Sequence, residues 1–142
     1  MPPEQEKAPA PLGFHGVLVD GLGQGQQFTT IDWVRRRFQA LLGIAPYPGT
    51  VNLRLKDDAD RAAWAQLRYA PGIPFPPEQG FCAATCYRVT IRGTAGHSVP
   101  AAIVLPHVPD YPPDKVELVA AVNVRQTLGL RAGDRLTIYV HL

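Results

Sequence analysis

Apolar residues along this chain recur at a period of two in several short runs and at helical spacing in others, with prolines and glycines between them. "FHGVLVD" from Phe14 alternates loosely and is β-rich, which predicts a first strand running into "GLGQGQ" at 21–26. "TTIDWVRRRFQALLG" at 29–43 carries Ile31, Val34, Phe38, Leu41 and Leu42 on one stripe, which predicts a helix. Thr29 with Asp32 has the form of a capping box, and Gly43 is placed to end that helix. Arg35 and Arg37 are expected on its solvated face.

After "PYPGT" the pattern returns to a strand, "VNLRL" at 51–55, and then to a short helix, "DDADRAAWAQL". That helix is expected to be capped by Asp57 or Asp58 and to pack through Trp64 and Leu67. "RYAPGIPFPPEQG" reads as loop, because its prolines interrupt a hydrogen-bonded ladder. "FCAATCYRVTIRG" and "SVPAAIVLP" read as paired strands around a "TAGH" turn. A second proline-rich loop, "HVPDYPPDKVE", precedes a strand in "VELVAA". A short helix in "NVRQTLGL" follows, then a closing strand in "RAGDRLTIYVHL" with Leu136, Ile138 and Val140 on one face. About six short strands with two or three inserted helices, and no regular βα alternation, predict a mainly β chain folded as a small closed barrel.

Composition narrows this only slightly. The 142 residues fit one domain, 46% hydrophobic and 18% charged, with 15 Pro and 13 Gly for turns. Residues 1–11 lack periodicity and are expected to be a disordered tail, leaving 12–142 as a single domain. The net charge of +2 comes from 11 Arg and 3 Lys spread along the chain, so nucleic acid is not an expected partner. No apolar run is long enough for a membrane helix, and the start lacks the pattern of a signal peptide, so a cytoplasmic protein is expected. Cys82 and Cys86 are four apart, about 13 Å along a strand, too far for a disulfide, and are expected to be two small buried hydrophobes.

Four features carry candidate chemistry. Alternate glycines at 21, 23 and 25 either let backbone N–H groups converge on a phosphate or simply form a turn. Thr50 and Asn52 share one face of an extended chain behind a stiff Pro-Gly turn. As neutral oxygens they suit a magnesium ion arriving with phosphates, or else they bond nearby backbone. Glu117 sits among Val116, Leu118 and Val119, either as a functional acid or base or pointing to solvent. Ser98 lies beside His97, without the strand-to-helix context of a hydrolase nucleophile.

Taken together, "GLGQGQ" at 21–26, "LGIAPYPGTVNLRL" at 42–55, "VELVAAVNVRQTLGL" at 116–130 and "GDRLTIYV" at 133–140 resemble the archaeal-type CTP-dependent riboflavin kinase family. The resemblance implies a six-stranded, riboflavin-kinase-like cradle-loop barrel. It implies that Gly21, Leu22, Gly23, Gln24, Gly25 and Gln26, with Val122, Asn123, Val124 and Arg125, hold the cytidine nucleotide. It implies further that Thr50 and Asn52 ligate Mg²⁺, the one cofactor expected, and that Glu117 orients or deprotonates the ribityl 5′-hydroxyl at the flavin site. CTP, CDP, riboflavin and FMN are the implied substrates and products; separately from the resemblance, no membrane partner and a monomeric chain are expected.

The pattern departs from the family at one position. A threonine that contacts the flavin usually stands eight residues before the acid, and here that position is Pro109. Proline offers neither hydroxyl nor N–H, so the contact is either missing or replaced by a neighbour such as Asp110 or Tyr111. The N-terminal DNA-binding helical domain of many members also has no counterpart in these residues. Two other readings accompany the kinase: a CTP-dependent kinase of another small hydroxylated acceptor, and a non-catalytic flavin- or nucleotide-binding module.

Overall fold

The structure, a computed structural model, describes residues 12–21, 24–78 and 80–142. The expected tail at 1–11, and Leu22 and Gly23 of the glycine stretch, lie outside the described residues. In chain order the elements are β1 (Leu12–Val19), α1 (Gln24–Thr29), α2 (Asp32–Leu42), β2 (Val51–Arg54), α3 (Asp58–Leu67), β3 (Ile73–Phe75), β4 (Ala84–Arg92), β5 (Ser98–Pro106), β6 (Lys115–Val119), α4 (Val124–Leu128) and β7 (Arg135–His141).

Six strands close into a ring in the order β4-β5-β6-β2-β1-β7, with β7 pairing back onto β4 and every pairing antiparallel. The expected mainly β, six-stranded barrel is what the chain forms. Alternation decides which side chains fill it. Leu53, Ile91, Ile103, Val116, Leu118 and Ile138 point inward and are fully buried. Trp64 and Leu67 of α3 join this core as expected, Trp64 stacking on Phe14 at 6.1 Å and meeting Tyr87 edge-on at 6.4 Å.

A second apolar layer lies on the outside of the ring. Ala84 and Cys86 of β4, Ala102 and Val104 of β5 and Val119 of β6 are covered by Trp33, Val34, Phe38 and Leu42 of α2. Each large side chain buried this way contributes about 1.5–3 kcal/mol. Strand β5 is therefore buried on both faces, which accounts for its unbroken apolar run "AAIVL".

Several local expectations are corrected. Gln24, Gly25 and Gln26 open a helix, α1, rather than a loop. The Thr29/Asp32 capping box does not form: Ile31 is the N-cap of α2 and caps nothing with its side chain. Thr29 Oγ1 instead accepts the Gly49 backbone N–H at 2.7 Å, tying α1 to the turn before β2. Asp57 is the N-cap of α3 but its carboxylate faces Arg135 at 3.3 Å, and Asp58 pairs with Arg61. Arg35 and Arg37 anchor rather than merely solvate: Arg35 donates to Pro46 O at 3.2 Å, and Arg37 to Pro76 O at 2.8 Å and Glu78 Oε2 at 2.9 Å. The loop at 68–80 contains β3, which pairs with the end of β4 that β7 leaves free. As a three-residue strand at that sheet edge it tolerates Pro74. Cys86 is buried as expected, and burial pushes its thiol up to about 12, but Cys82 is exposed.

Gly43 ends α2 in the left-handed region at φ 69°, its N–H bonding Gln39 O at 3.0 Å. Gly43→Ala is expected to cost about 1 kcal/mol, the penalty of a Cβ at that conformation, read as a lower urea midpoint with unchanged slope. An unchanged midpoint removes this account of the helix stop. Among the described residues no helix is long and apolar enough to cross a membrane.

Candidate active site

The turn at 46–50 is held by three neighbours before it delivers β2. Arg35 bonds Pro46 O, Thr29 accepts Gly49 N–H, and Tyr47 N–H donates to Ala120 O at 2.8 Å. Beyond it Val51 and Leu53 point into the barrel, so Thr50 and Asn52 project outward. The Asn52 amide donates to Thr50 O at 3.2 Å and to Thr50 Oγ1 at 3.3 Å. These bonds join the two candidate ligands, and one of them is the local backbone contact that a plain turn-to-strand junction would also make. A Cβ built on Gly21, two residues beyond β1, would run into Asn52 Nδ2, so any larger residue there would displace this amide.

Strand pairing then brings in the carboxylate. Asn52 of β2 is the direct partner of Glu117 of β6, which in turn partners Val104 of β5. Paired antiparallel residues share a face with Cβ atoms about 4.5–5.5 Å apart, so residues 65 positions apart in sequence become neighbours. Glu117 Oε2 accepts the Tyr111 hydroxyl at 2.9 Å, and Oε1 lies 3.7 Å from Lys115 Nζ. Burial, then the Glu117 charge, then this hydrogen bond hold the Tyr111 phenol far above its usual range, so it remains a donor at any working pH.

Two cavities meet at Thr50. The first, about 210 Å³, is lined by Leu18, Gly21, Tyr47 to Asn52, Ala120 and Val122 to Arg125. It brings together Gly21, Thr50, Asn52, Val122, Asn123, Val124 and Arg125 from the sequence expectation. Asn123 caps α4 through Gln126 N–H at 3.1 Å and donates to the Tyr47 hydroxyl at 3.3 Å, while Arg125 bonds Asp20 at 2.8 Å. The second cavity, about 190 Å³, lies between the outer face of the barrel and α1 and α2. Phe28, Trp33, Phe75 and Phe81 form its aromatic walls, with Thr50 and Glu117 as polar groups and Cys82 beside them. The Trp33 indole N–H is buried without an acceptor among the described residues. A neutral lining of flat rings with one carboxylate suits a flat, largely uncharged ligand that offers a hydroxyl.

The family model CTP-dep_RFKase, described as "Domain of unknown function DUF120", matches residues 18–140. The chain belongs to this CTP-dependent riboflavin kinase family. It is 37% identical to a riboflavin kinase of Methanocella arvoryzae over 134 residues, 94% of this chain and 58% of the relative. It is 34% identical to one of Pyrobaculum calidifontis over 140 residues, covering 94% and 62%, and 31% identical to one of Halobacterium salinarum over 136 residues, covering 93% and 58%. The chain thus spans roughly three fifths of the length of these relatives, all three riboflavin kinases.

Of the candidate site residues singled out in the sequence, the first cavity gathers seven and the second only Thr50 and Glu117. Pro109 does not reach the Glu117 cavity. It lines a separate cavity of about 580 Å³ with Arg68, Tyr69, Thr85 and His107, while Tyr111, two residues on, touches the carboxylate. The aromatic walls were missed, although Phe75 and Phe81 flank a proline-rich loop, where large apolar residues are a signal of a packed or binding segment. Thr50 and Asn52 are adjacent neutral oxygen donors in a cavity wall, a set that could hold a divalent metal where phosphate charge stands alongside. Presenting Asn52 Oδ1 instead of Nδ2 takes a half-turn about a broad, two-fold torsion.

Proposed function

We propose that this chain is a CTP-dependent riboflavin kinase domain, moving the γ-phosphoryl group of CTP to the ribityl 5′-hydroxyl of riboflavin to give FMN and CDP. The observation that carries the reading is the junction at Thr50, where a polar cavity and an aromatic cavity meet beside Asn52 and Glu117. Phosphoryl transfer needs chiefly positioning and charge stabilisation, and a clamped turn on a rigid barrel supplies the first.

In this reading the nucleotide lies in the first cavity, against Gly21 and Val122 to Arg125, and the isoalloxazine ring lies among Phe28, Trp33, Phe75 and Phe81. Glu117 accepts the proton of the 5′-hydroxyl as its oxygen bonds the γ-phosphorus and the bond to the β-phosphate oxygen breaks, releasing CDP. Thr50 and Asn52 would hold a Mg²⁺ ion, which when bound neutralises charge on the phosphates. Tyr111 and Lys115 fix the two oxygens of Glu117, so the acceptor meets a carboxylate in one orientation.

Tyr111→Phe is expected to lower turnover about tenfold, close to the value of one hydrogen bond to a charged group. Steady-state rates at saturating CTP, with thermal unfolding as the check on folding, measure it. An unaltered rate removes Tyr111 from the mechanism. The proposal as a whole is tested by incubating the purified chain with riboflavin, Mg²⁺ and either CTP or ATP and resolving FMN by chromatography. FMN from CTP and not ATP is the expected result. No FMN from a folded chain that binds CDP moves the reading to another acceptor or a binding module.

A further inference from the structure

Outside these cavities, another set of polar side chains gathers where β4, β7 and β1 lie side by side. Arg92 of β4 pairs with Thr137 of β7, and Thr137 pairs with His15 of β1, so the three form one row across the sheet. Phe14, Leu136 and Ile138 beside them point into the core, so this row is on the outer face. Arg135 lies on the same face, two residues before Thr137. With Gly93 and Thr94 of the β4–β5 turn, these residues line a cavity of about 340 Å³.

Among the described residues, the lining holds two guanidinium groups, an imidazole, two hydroxyls and no carboxylate. Buried Asp60 stands beside it, accepting the His15 backbone N–H at 2.9 Å and facing His15 Nδ1 at 3.3 Å. Asp57 and Asp60 approach Arg135 Nη2 at 3.3 and 4.0 Å. These contacts orient His15 and Arg135 as walls and involve one nitrogen of Arg135, Nη2, its other side-chain N–H donors having no partner among the described residues. Arg92 has no hydrogen-bond or ion-pair partner among the described residues, so its charge is uncompensated.

We propose that this cavity binds a single tetrahedral phosphate group, either orthophosphate or the terminal group of a phosphomonoester. Planar guanidinium forks match phosphate oxygens bidentately, and the hydroxyls of Thr94 and Thr137 can add two further donors. Because Asp57 and Asp60 offset the charge beside Arg92, the site suits one anionic group and not a polyanion. It shares no lining residue with the cavities assigned to nucleotide and flavin.

The test follows arginine Nε–Hε signals in ¹H–¹⁵N spectra of the whole chain titrated with sodium phosphate. Arg92 and Arg135 are expected to shift along a saturating curve, while sodium chloride at equal ionic strength gives only unsaturated drift. Arg92→Gln is expected to weaken the curve read at Arg135 by at least about tenfold, and Arg92→Lys, which keeps charge but loses the fork, to fall between. Arg92 is exposed at the end of a strand, so both variants are expected to keep the unfolding midpoint of the parent. Titration with adenosine 5′-monophosphate separates the sources: saturation as tight as with orthophosphate assigns a phosphomonoester, and saturation by orthophosphate alone assigns the free ion. Salt-like drift with both, or a curve indifferent to Arg92→Gln, overturns the proposal.

Discussion

Glu117→Gln is expected to lower the rate of FMN formation by at least about 10²-fold, or roughly 2.7 kcal/mol of transition-state stabilisation. The replacement has nearly the same shape, so Tyr111 can still donate to a side-chain oxygen where it now reaches Oε2 at 2.9 Å. What disappears is the negative charge, and with it the capacity to take the proton of an attacking hydroxyl. Lys115, now 3.7 Å from Oε1, also loses its counter-charge. Glu117 does not line the cavity assigned to the nucleotide, so CDP affinity measured by calorimetry is expected to hold while turnover falls. Near-native turnover from a folded variant would falsify the assignment of Glu117 as the base.

Asn52→Ala is expected to produce a loss of similar size, again at least about 10²-fold, with a steeper requirement for Mg²⁺. The substitution removes an oxygen donor from the wall shared with Thr50 and breaks the bonds that join the two residues. It also empties the space against Gly21, where a Cβ has no room beside the amide. The side chain lies outside the barrel core, so the cost is expected in catalysis and not in the unfolding midpoint. Initial rates across a magnesium titration read both parts. A variant that matches the parent at low magnesium excludes Asn52 as a ligand, whatever the assay shows for Glu117.

The strands were legible because alternation is a local property of the chain. Val51 and Leu53, Val116 and Leu118, and Leu136 and Ile138 announce their inward faces in the sequence, and all of these but half-buried Val51 are buried in the ring. The α2 stop at Gly43 was legible for the same reason, since a left-handed residue is chosen within one turn. The α2 start was not. The Thr29 hydroxyl had a local use three residues on, but a backbone N–H from Gly49, twenty positions away, was the partner it took. Likewise β3 was hidden by Pro74, because nothing local says that β7 covers only Arg88 to Arg92 and leaves the rest of that β4 edge open.

The site divides along the same line. By itself the sequence determined a mainly β chain, the inward residues of its strands, and the outward face shared by Thr50 and Asn52 behind a stiff turn, all consequences of backbone geometry over a few residues. Tertiary structure alone decided that Asn52 stands beside Glu117, that Tyr111 and not Pro109 touches that carboxylate, and that four aromatic rings from α1, α2, β3 and the following loop wall one cavity. Closing the ring sets the register between β2 and β6, and covering its outer face with helices creates the space between layers. Both are contacts among segments distant in the chain, whose partners are selected by the packing of the whole barrel and leave no periodic trace in any one segment.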